Sequence, residues 1–227
     1  MGRTGQLRHT LNRLCDLTLP DEILIVDDGG SDGCDQVVPE FSDRLPIRYI
    51  FNNNPGQTIC SMARNIGIRN TDADIVVTSE PEAMFITDVL AQLLAHHAIE
   101  PTKVISAGTV HHAQRSDVRD VASCMTIRGW VAPFTALYVR DWLMEIQGWD
   151  ESFPSRWGWD DTDLLTRLRV KGHGQVIDLG SEILHQWHGS SAVDQKLNEQ
   201  HFLAKNLQHD GAHVVANEGV EWGQTRP

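Results

Sequence analysis

One pattern constrains this chain more than any other: short apolar runs, each ending in a polar loop, with helical stretches between them. Glu22–Val26, Ile47–Phe51 and Asp74–Thr78 are rich in Ile and Val and read as buried strands. Each runs into a turn-forming segment: Asp27-Asp28-Gly29-Gly30-Ser31-Asp32-Gly33, Asn52-Asn53-Asn54-Pro55-Gly56 and Ser79-Glu80-Pro81-Glu82. Gln6–Leu17 places Leu7, Leu11 and Leu14 at helical spacing, and Gln57–Ile68 also reads as a helix. Strands alternating with helices predict an α/β domain whose central sheet is mainly parallel and flanked by helices. In such a sheet the ligand crevice lies beyond the carboxyl ends of the strands. The acid-bearing loops Asp27–Gly33 and Ser79–Glu82 fall there.

The alternation continues with a helix over Thr87–His97 and a strand over Lys103–Val110. A polar loop, His111–Ser123, is followed by extended structure at Ala136–Val139 and a short helix, Arg140–Ile146, ended by Gly148. Val176–Leu184 is a strand that delivers His185-Gln186-Trp187-His188, and Val193–Leu207 is a helix. With no repeat, low-complexity segment or linker, all 227 residues read as a single domain. A net charge of −12 argues against general nucleic-acid binding and against an anionic membrane surface, both of which need a basic footprint. The four cysteines, Cys15, Cys34, Cys60 and Cys124, form no Cys-x-x-Cys pair, which suits a reducing cytoplasm. No apolar run reaches membrane-spanning length and no signal peptide is visible, so the expected location is cytoplasmic.

Several clusters admit both a chemical and a structural reading. Trp157-Gly158-Trp159 precedes Asp160, Asp161 and Asp163 at the mouth of an amphipathic run that buries Leu164, Leu165 and Leu168. Indoles can cover the apolar face of a sugar and a carboxylate can accept a hydroxyl proton, whereas acids alone would complement the helix dipole. Asp27 and Asp28 end a strand and suit hydrogen bonds from a base or ribose, or else close an Asx-turn. Glu80 and Glu82 can reach a hard divalent cation, or form a solvated acidic turn. His185 and His188 can complete an oxygen- and nitrogen-ligated metal site with Glu82, or serve structure alone. Arg64 can pair with a diphosphate, or form an ordinary ion pair.

In order along most of the chain, these residues resemble the GT-A-type nucleotide-sugar glycosyltransferases of family 2. Glu22–Gly33 is similar to that family's strand ending in Val-Asp-Asp-Gly-Ser, with Gly30 inserted; Ala63-Arg64-Asn65-x-Gly67 matches its Ala-Arg-Asn-x-Gly helix. Ala73–Glu82 resembles the strand leading to its metal-binding Asp-x-Asp, here Glu80-Pro81-Glu82. Asp72-Ala73-Asp74 spells the motif but precedes the strand, and is set aside. Gly148-Trp149-Asp150-Glu151-Ser152-Phe153 resembles Gly-Gly-Phe-Asp-Glu-x-Phe. Trp157-Gly158-Trp159-Asp160-Asp161 resembles Trp-Gly-Gly-Glu-Asp, closest to galactosyl- and N-acetylgalactosaminyl-transferring branches.

The resemblance implies a single Rossmann-like GT-A domain with a nucleotide-binding part over about residues 1–110 and an acceptor part over about residues 111–209. Relatives open with a further hydrophobic strand, which this chain, starting at Met1-Gly2-Arg3, is expected to lack. The implied activity is inverting transfer of a sugar from a UDP-sugar to a glycan or other hydroxyl acceptor. Asp161 would be the base, and Asp27, Asp28 and Arg64 would contact the nucleotide. Trp157, Trp159 and Asp160 would contact the sugars, and Glu80, Glu82 and His188, with His185 as rival, would hold Mn²⁺ or Mg²⁺. Asp163 is expected as a charge at the helix start. A non-catalytic sugar- or partner-binding relative and a sugar-phosphate nucleotidyltransferase are the alternatives; a metal-dependent hydrolase is a more distant one.

Overall fold

The computed structural model describes residues 3–54, 60–116, 120–131, 133, 135–155, 158–189, 195–208 and 214–226. It begins with the expected alternation: α1 (Thr4–Leu14), β1 (Ile23–Asp27), a short α2 (Cys34–Val37), β2 (Ile47–Phe51), α3 (Cys60–Arg69) and β3 (Ile75–Thr78). Then come β4 (Ala83–Phe85), α4 (Val89–Ile99), β5 (Val104–His112), β6 (Met125–Arg128), β7 (Ala136–Val139) and α5 (Arg140–Glu145). α6 (Asp160–Val170), β8 (Gln175–His185) and α7 (Gln195–Gln208) complete the order.

The α/β architecture is the expected one, but its sheet is mixed and in two pieces. β1 and β2 pair in parallel, Ile23 opposite Ile47 and Asp27 opposite Phe51. The second piece runs β3-β7-β5-β8-β4, with β6 added to β5. Within it β5 and β8 are parallel, whereas β3–β7, β4–β8, β5–β6 and β5–β7 are antiparallel. The mainly parallel sheet expected from the alternation is corrected on this point for a simple reason. Parallel neighbours need a long crossover, usually helical, and β6 and β7 return to β5 without one. The expected first strand is not among the described strands, and β1 and β2 pair with no described strand of the larger sheet.

α1 fastens the two pieces together. Leu7 and Leu11 pack with Val37, Phe41 and Leu45 over Ile23 and Ile25, while Leu14 also reaches the core formed by Leu93, Ile105, Ile75 and Val77. The helix lacks a capping side chain at Arg3, and Asp32 replaces it from the loop after β1. Its carboxylate accepts from the backbone N–H of Arg3 at 2.6 Å and of Thr4 at 3.2 Å.

β5 is buried over Val104–His111 and crosses β8 closely at an irregularity between Ala107 and Thr109. Gly108 lies there because a Cβ would stand 2.5 Å from Ile177 Cγ2. On the far side of the sheet, Tyr138, Leu143, Ile146, Trp149, Leu164 and Leu168 form a core under α5 and α6. Burial of one leucine contributes about 1.5–3 kcal/mol, so Leu164 and Leu168, both fully buried, pin α6 and the acids at its start. No helix among the described residues is long and apolar enough to cross a membrane.

Candidate active site

The acids after Trp159 owe their positions to a sharp entry into α6. Trp159 adopts φ 68°, and the helix begins at the next residue with Asp160, Asp161 and Asp163 in its first turn, where the dipole favours negative charge. Each acid then takes a different partner. Asp163 is more than a charge at a helix start: it is 1 % exposed and pairs with Arg167 at 2.7 Å. Arg167 also donates to the Ile146 carbonyl at 3.2 Å, tying α6 to the end of α5. Asp160, expected to face the acceptor, turns inward: one oxygen accepts Gly158 N–H at 3.0 Å and the other accepts from Arg64 at 3.2 Å. Trp159 packs against Phe202 of α7, with ring centres 5.3 Å apart. Trp157 lies outside the described residues.

Arg64 is the hub of this region. From α3 it donates to Asp161 Oδ1 at 3.0 Å and to Asp160, and it forms a close ion pair with Glu80. One guanidinium therefore faces three carboxylates. Burial works against the charge on Arg64, but Asp161, Glu80 and Asp160 together hold its pKa well above the ordinary value. Burial pushes the Asp161 carboxyl up to about 7; Arg64 and a hydrogen bond from Trp149 oppose the rise, while Asp160 and Glu80 add to it. That bond runs from the indole Nε1–H to Asp161 Oδ1 at 2.9 Å. The sequence pattern assigns Trp149 no role, although it stands inside a motif that the resemblance singles out.

A second cluster lies at the neighbouring strand ends. The antiparallel register of β4 and β8 sets Ala83 opposite His185 and so brings Glu82 beside the end of β8. His188 Nε2 is 3.3 Å and His185 Nε2 3.9 Å from Glu82 Oε1, on which the Arg3 guanidinium also rests. Ligand atoms of Glu82, His185 and His188 all lie within 4.8 Å of one another. Burial lowers the pKa of His188, and burial with the neighbouring His112 and His188 lowers that of His185 to about 4. Both imidazoles are thus neutral, the form that binds metals. Glu82 is 4 % exposed, and its Oε2 has no hydrogen-bond partner among the described residues. A buried carboxylate oxygen without a partner is costly, and Glu82 with the two imidazoles offers an oxygen and nitrogen donor set that a divalent ion takes.

Glu80 does not join this trio. Ala83 N–H bonds the Glu80 carbonyl at 3.0 Å, closing a turn around Pro81 that sends the Glu80 side chain to Arg64 and the Glu82 side chain to the histidines. The acids after β1 are satisfied internally. Asp27 accepts Gly30 N–H at 2.8 Å and the Tyr49 hydroxyl at 2.7 Å, and Asp28 accepts Asn52 Nδ2 at 2.6 Å and Asn54 Nδ2 at 3.1 Å. Arg226, near the end of the described chain, donates to Asn54 Oδ1 at 2.7 Å, so the last segment borders this loop.

The family described as Glycosyl transferase family 2 matches residues 3–202. Validoxylamine A glucosyltransferase of Streptomyces hygroscopicus subsp. limoneus is 25% identical over 96% of this chain, which spans 58% of that protein. The mannosyltransferase PcManGT of Pyrobaculum calidifontis, solved with GDP-Man and Mn2+, is similar in fold: TM-score 0.60, 17% identity, 90% of this chain and 61% of that one. So is S. aureus TarS 1-349 in complex with UDP: TM-score 0.64, 12% identity, 91% of this chain and 68% of that one. Similarity at these identities concerns the fold.

Proposed function

The chain belongs to glycosyl transferase family 2, and on that premise we propose that it moves a sugar from a nucleoside-diphosphate donor to an acceptor hydroxyl with inversion at the anomeric carbon. The observation that supports this best is the placement of Asp161: a half-buried carboxyl in the first turn of α6, fastened through Oδ1 by Arg64 and Trp149, whose pKa its surroundings push up to about 7. A general base works best when its pKa lies near the working pH. Asp161 takes the acceptor's proton as the acceptor oxygen bonds to the anomeric carbon, and the bond to the diphosphate breaks with its electron pair on the leaving group.

Arg64 is the cation closest to the base and serves the diphosphate by turning from the three carboxylates that hold it. Asp160 and Glu80 are its resting partners. Glu82, His185 and His188 would hold a divalent ion, and two imidazoles among the ligands favour Mn²⁺ over the harder Mg²⁺. When bound, such an ion neutralises charge on the leaving diphosphate. The UDP bound by TarS and the GDP-Man and Mn2+ bound by PcManGT are in keeping with a nucleotide-sugar donor; we assign UDP-sugar as the class. Trp159 borders the acceptor side, where its indole can cover a sugar face. Family membership also displaces the nucleotidyltransferase alternative.

A screen of UDP-sugars and GDP-sugars with Mn²⁺, read as nucleotide release and product formation, tests the reading. Asp161→Asn should abolish transfer and leave donor affinity within a few-fold; unaltered turnover would remove Asp161 from the role. A second reading, a sugar-binding protein without turnover, draws on the separation of β1 and β2, which lead to the Asp27 and Asp28 loop, from the larger sheet. Thermal stabilisation by a donor with no turnover under any acceptor would favour it.

A further inference from the structure

We propose that Trp149 is a positioning residue for transfer: with Arg64 it fixes Oδ1 of Asp161 and so leaves Oδ2 as the atom that takes the acceptor's proton. The inference rests on Asp161 being the base. Both hydrogen bonds to this carboxylate, from the indole Nε1–H at 2.9 Å and from Arg64 at 3.0 Å, fall on Oδ1. Among the described residues no hydrogen bond reaches Oδ2, and the Asp161 side chain keeps 20% of its surface exposed. One oxygen is therefore an anchor and the other is open.

The two anchors differ in kind. Arg64 divides its donors among three carboxylates and has a second task at the diphosphate, so its hold on Oδ1 loosens when a donor arrives. Trp149 has no such alternative. It is fully buried, its backbone is clamped by Asn65 in both directions, and its ring lies 5.7 Å from Tyr138 edge-on, with the Arg64 guanidinium 5.4 Å above it. An indole N–H only donates. It therefore cannot follow the proton onto Oδ1, and it opposes protonation of the oxygen it holds. The other titratable or charged groups facing Asp161 are Arg64 and Cys60 on α3, Glu80 after β3, Tyr138 on β7 and Asp160 in its own helix. Burial holds Tyr138 protonated and pushes the Cys60 thiol up to about 12, so neither competes for the proton near neutral pH.

The resemblance places phenylalanine at this position of the Gly-Gly-Phe-Asp-Glu motif, so Trp149→Phe keeps an aromatic that this kind of site accommodates and removes the N–H. Two measurements test the proposal. In the first, indole ¹H–¹⁵N spectra are followed from pH 5 to 9 in the full chain, with the Trp149 signal identified by its loss in Trp149→Phe. The signal should move with one midpoint and stand still in Asp161→Asn. A signal that ignores pH, or that moves equally in Asp161→Asn, overturns the placement.

In the second, UDP release from UDP-glucose and from UDP-N-acetylglucosamine is measured with Mn²⁺. Trp149→Phe should lower kcat about ten- to hundredfold, leave donor KM within twofold and move the rising limb of the pH profile up by about one unit. Wild-type kcat with an unshifted limb overturns the positioning role. If the wild-type protein turns over neither donor, the base reading loses its support, and the indole titration still decides whether Trp149 holds Asp161.

Discussion

Asn65 and Trp149 hold each other by two hydrogen bonds of 2.8 Å, one in each direction: Asn65 Nδ2–H to the Trp149 carbonyl, and Trp149 N–H to Asn65 Oδ1. Asn65 is the neighbour of Arg64 on α3, so this clamp sets the register between the helix that carries the guanidinium and the segment that carries the indole. A third bond from Asn65 reaches Glu151 Oε1 at 2.8 Å, which also accepts Gly223 N–H at 2.8 Å. Gly148, at φ 64°, makes the approach feasible, because a Cβ there would collide with the Asn65 amide and come within 3.0 Å of the Trp222 ring.

Asn65→Ala strips three hydrogen bonds from a residue with no exposed surface and leaves the Trp149 N–H unsatisfied, while the Trp149 carbonyl keeps a bond from Asn217 Nδ2 at 2.8 Å. At about 1–3 kcal/mol for the orphaned donor and about 1 kcal/mol for each of the other two bonds, the expected loss is about 3–5 kcal/mol. Urea unfolding monitored by tryptophan fluorescence reads it as a lower midpoint at unchanged slope. A midpoint equal to that of the wild type would mean that the clamp is not stabilising.

Asp161 makes stability depend on pH in a definite direction. Its folded pKa, about 7, lies above the ordinary carboxylate value, so the folded state binds the proton more tightly. The folded protein should therefore lose stability as pH rises from about 4 to about 7 through this group. Asp161→Asn, which cannot ionise, should flatten that fall and be the more stable protein at pH 8, by about 1–3 kcal/mol. Thermal melts at pH 5 and pH 8 decide; a destabilised Asn variant at pH 8 would contradict it.

Arg64→Met removes the cation that three acids share. Breaking a buried charge pair costs about 3–5 kcal/mol, and here the acids left behind also repel one another. Arg64→Lys should recover part of this, because one ammonium keeps the charge but lacks the forked reach to Glu80 and Asp161 together. Chemical denaturation of the two variants should rank wild type above Lys and Lys above Met.

Mn²⁺ should stabilise the protein through Glu82, His185 and His188. An ion at a hundred times its dissociation constant adds about 2.7 kcal/mol. Scanning calorimetry should show a higher Tm with Mn²⁺, reversed by a chelator and lost in Glu82→Gln and in His188→Ala. A shift that survives in both variants would locate the ion elsewhere.

Much of the fold is legible in the sequence because burial writes periodicity into it. Ile47–Phe51 and Ala136–Val139 match β2 and β7 end to end, and Leu164, Leu165 and Leu168 are buried as their spacing suggests. β4 has only three residues, and β6 exposes Met125, Thr126 and Arg128, so neither carries a readable alternation. Within the site, strand ends announce Glu82, His185 and His188, because a strand delivers the residues just past its end to one edge of the sheet. The inward turn of Asp160 and the contact of Trp149 with Asp161 depend on packing between α3, α6 and the loop before them, and no local spacing encodes that. Asp163 is different: Arg167 stands four residues on, at the spacing of a helical ion pair, and that signal is present in the sequence.

The turn around Pro81 acts as a partition. Glu80 and Glu82 follow the same strand two residues apart, yet one pairs with the Arg64 that also holds Asp161 and the other stands with His185 and His188. Variation at residue 80 then acts on Asp161 and on the histidines only through its charge, whereas variation at residue 82 acts on the histidines by direct contact.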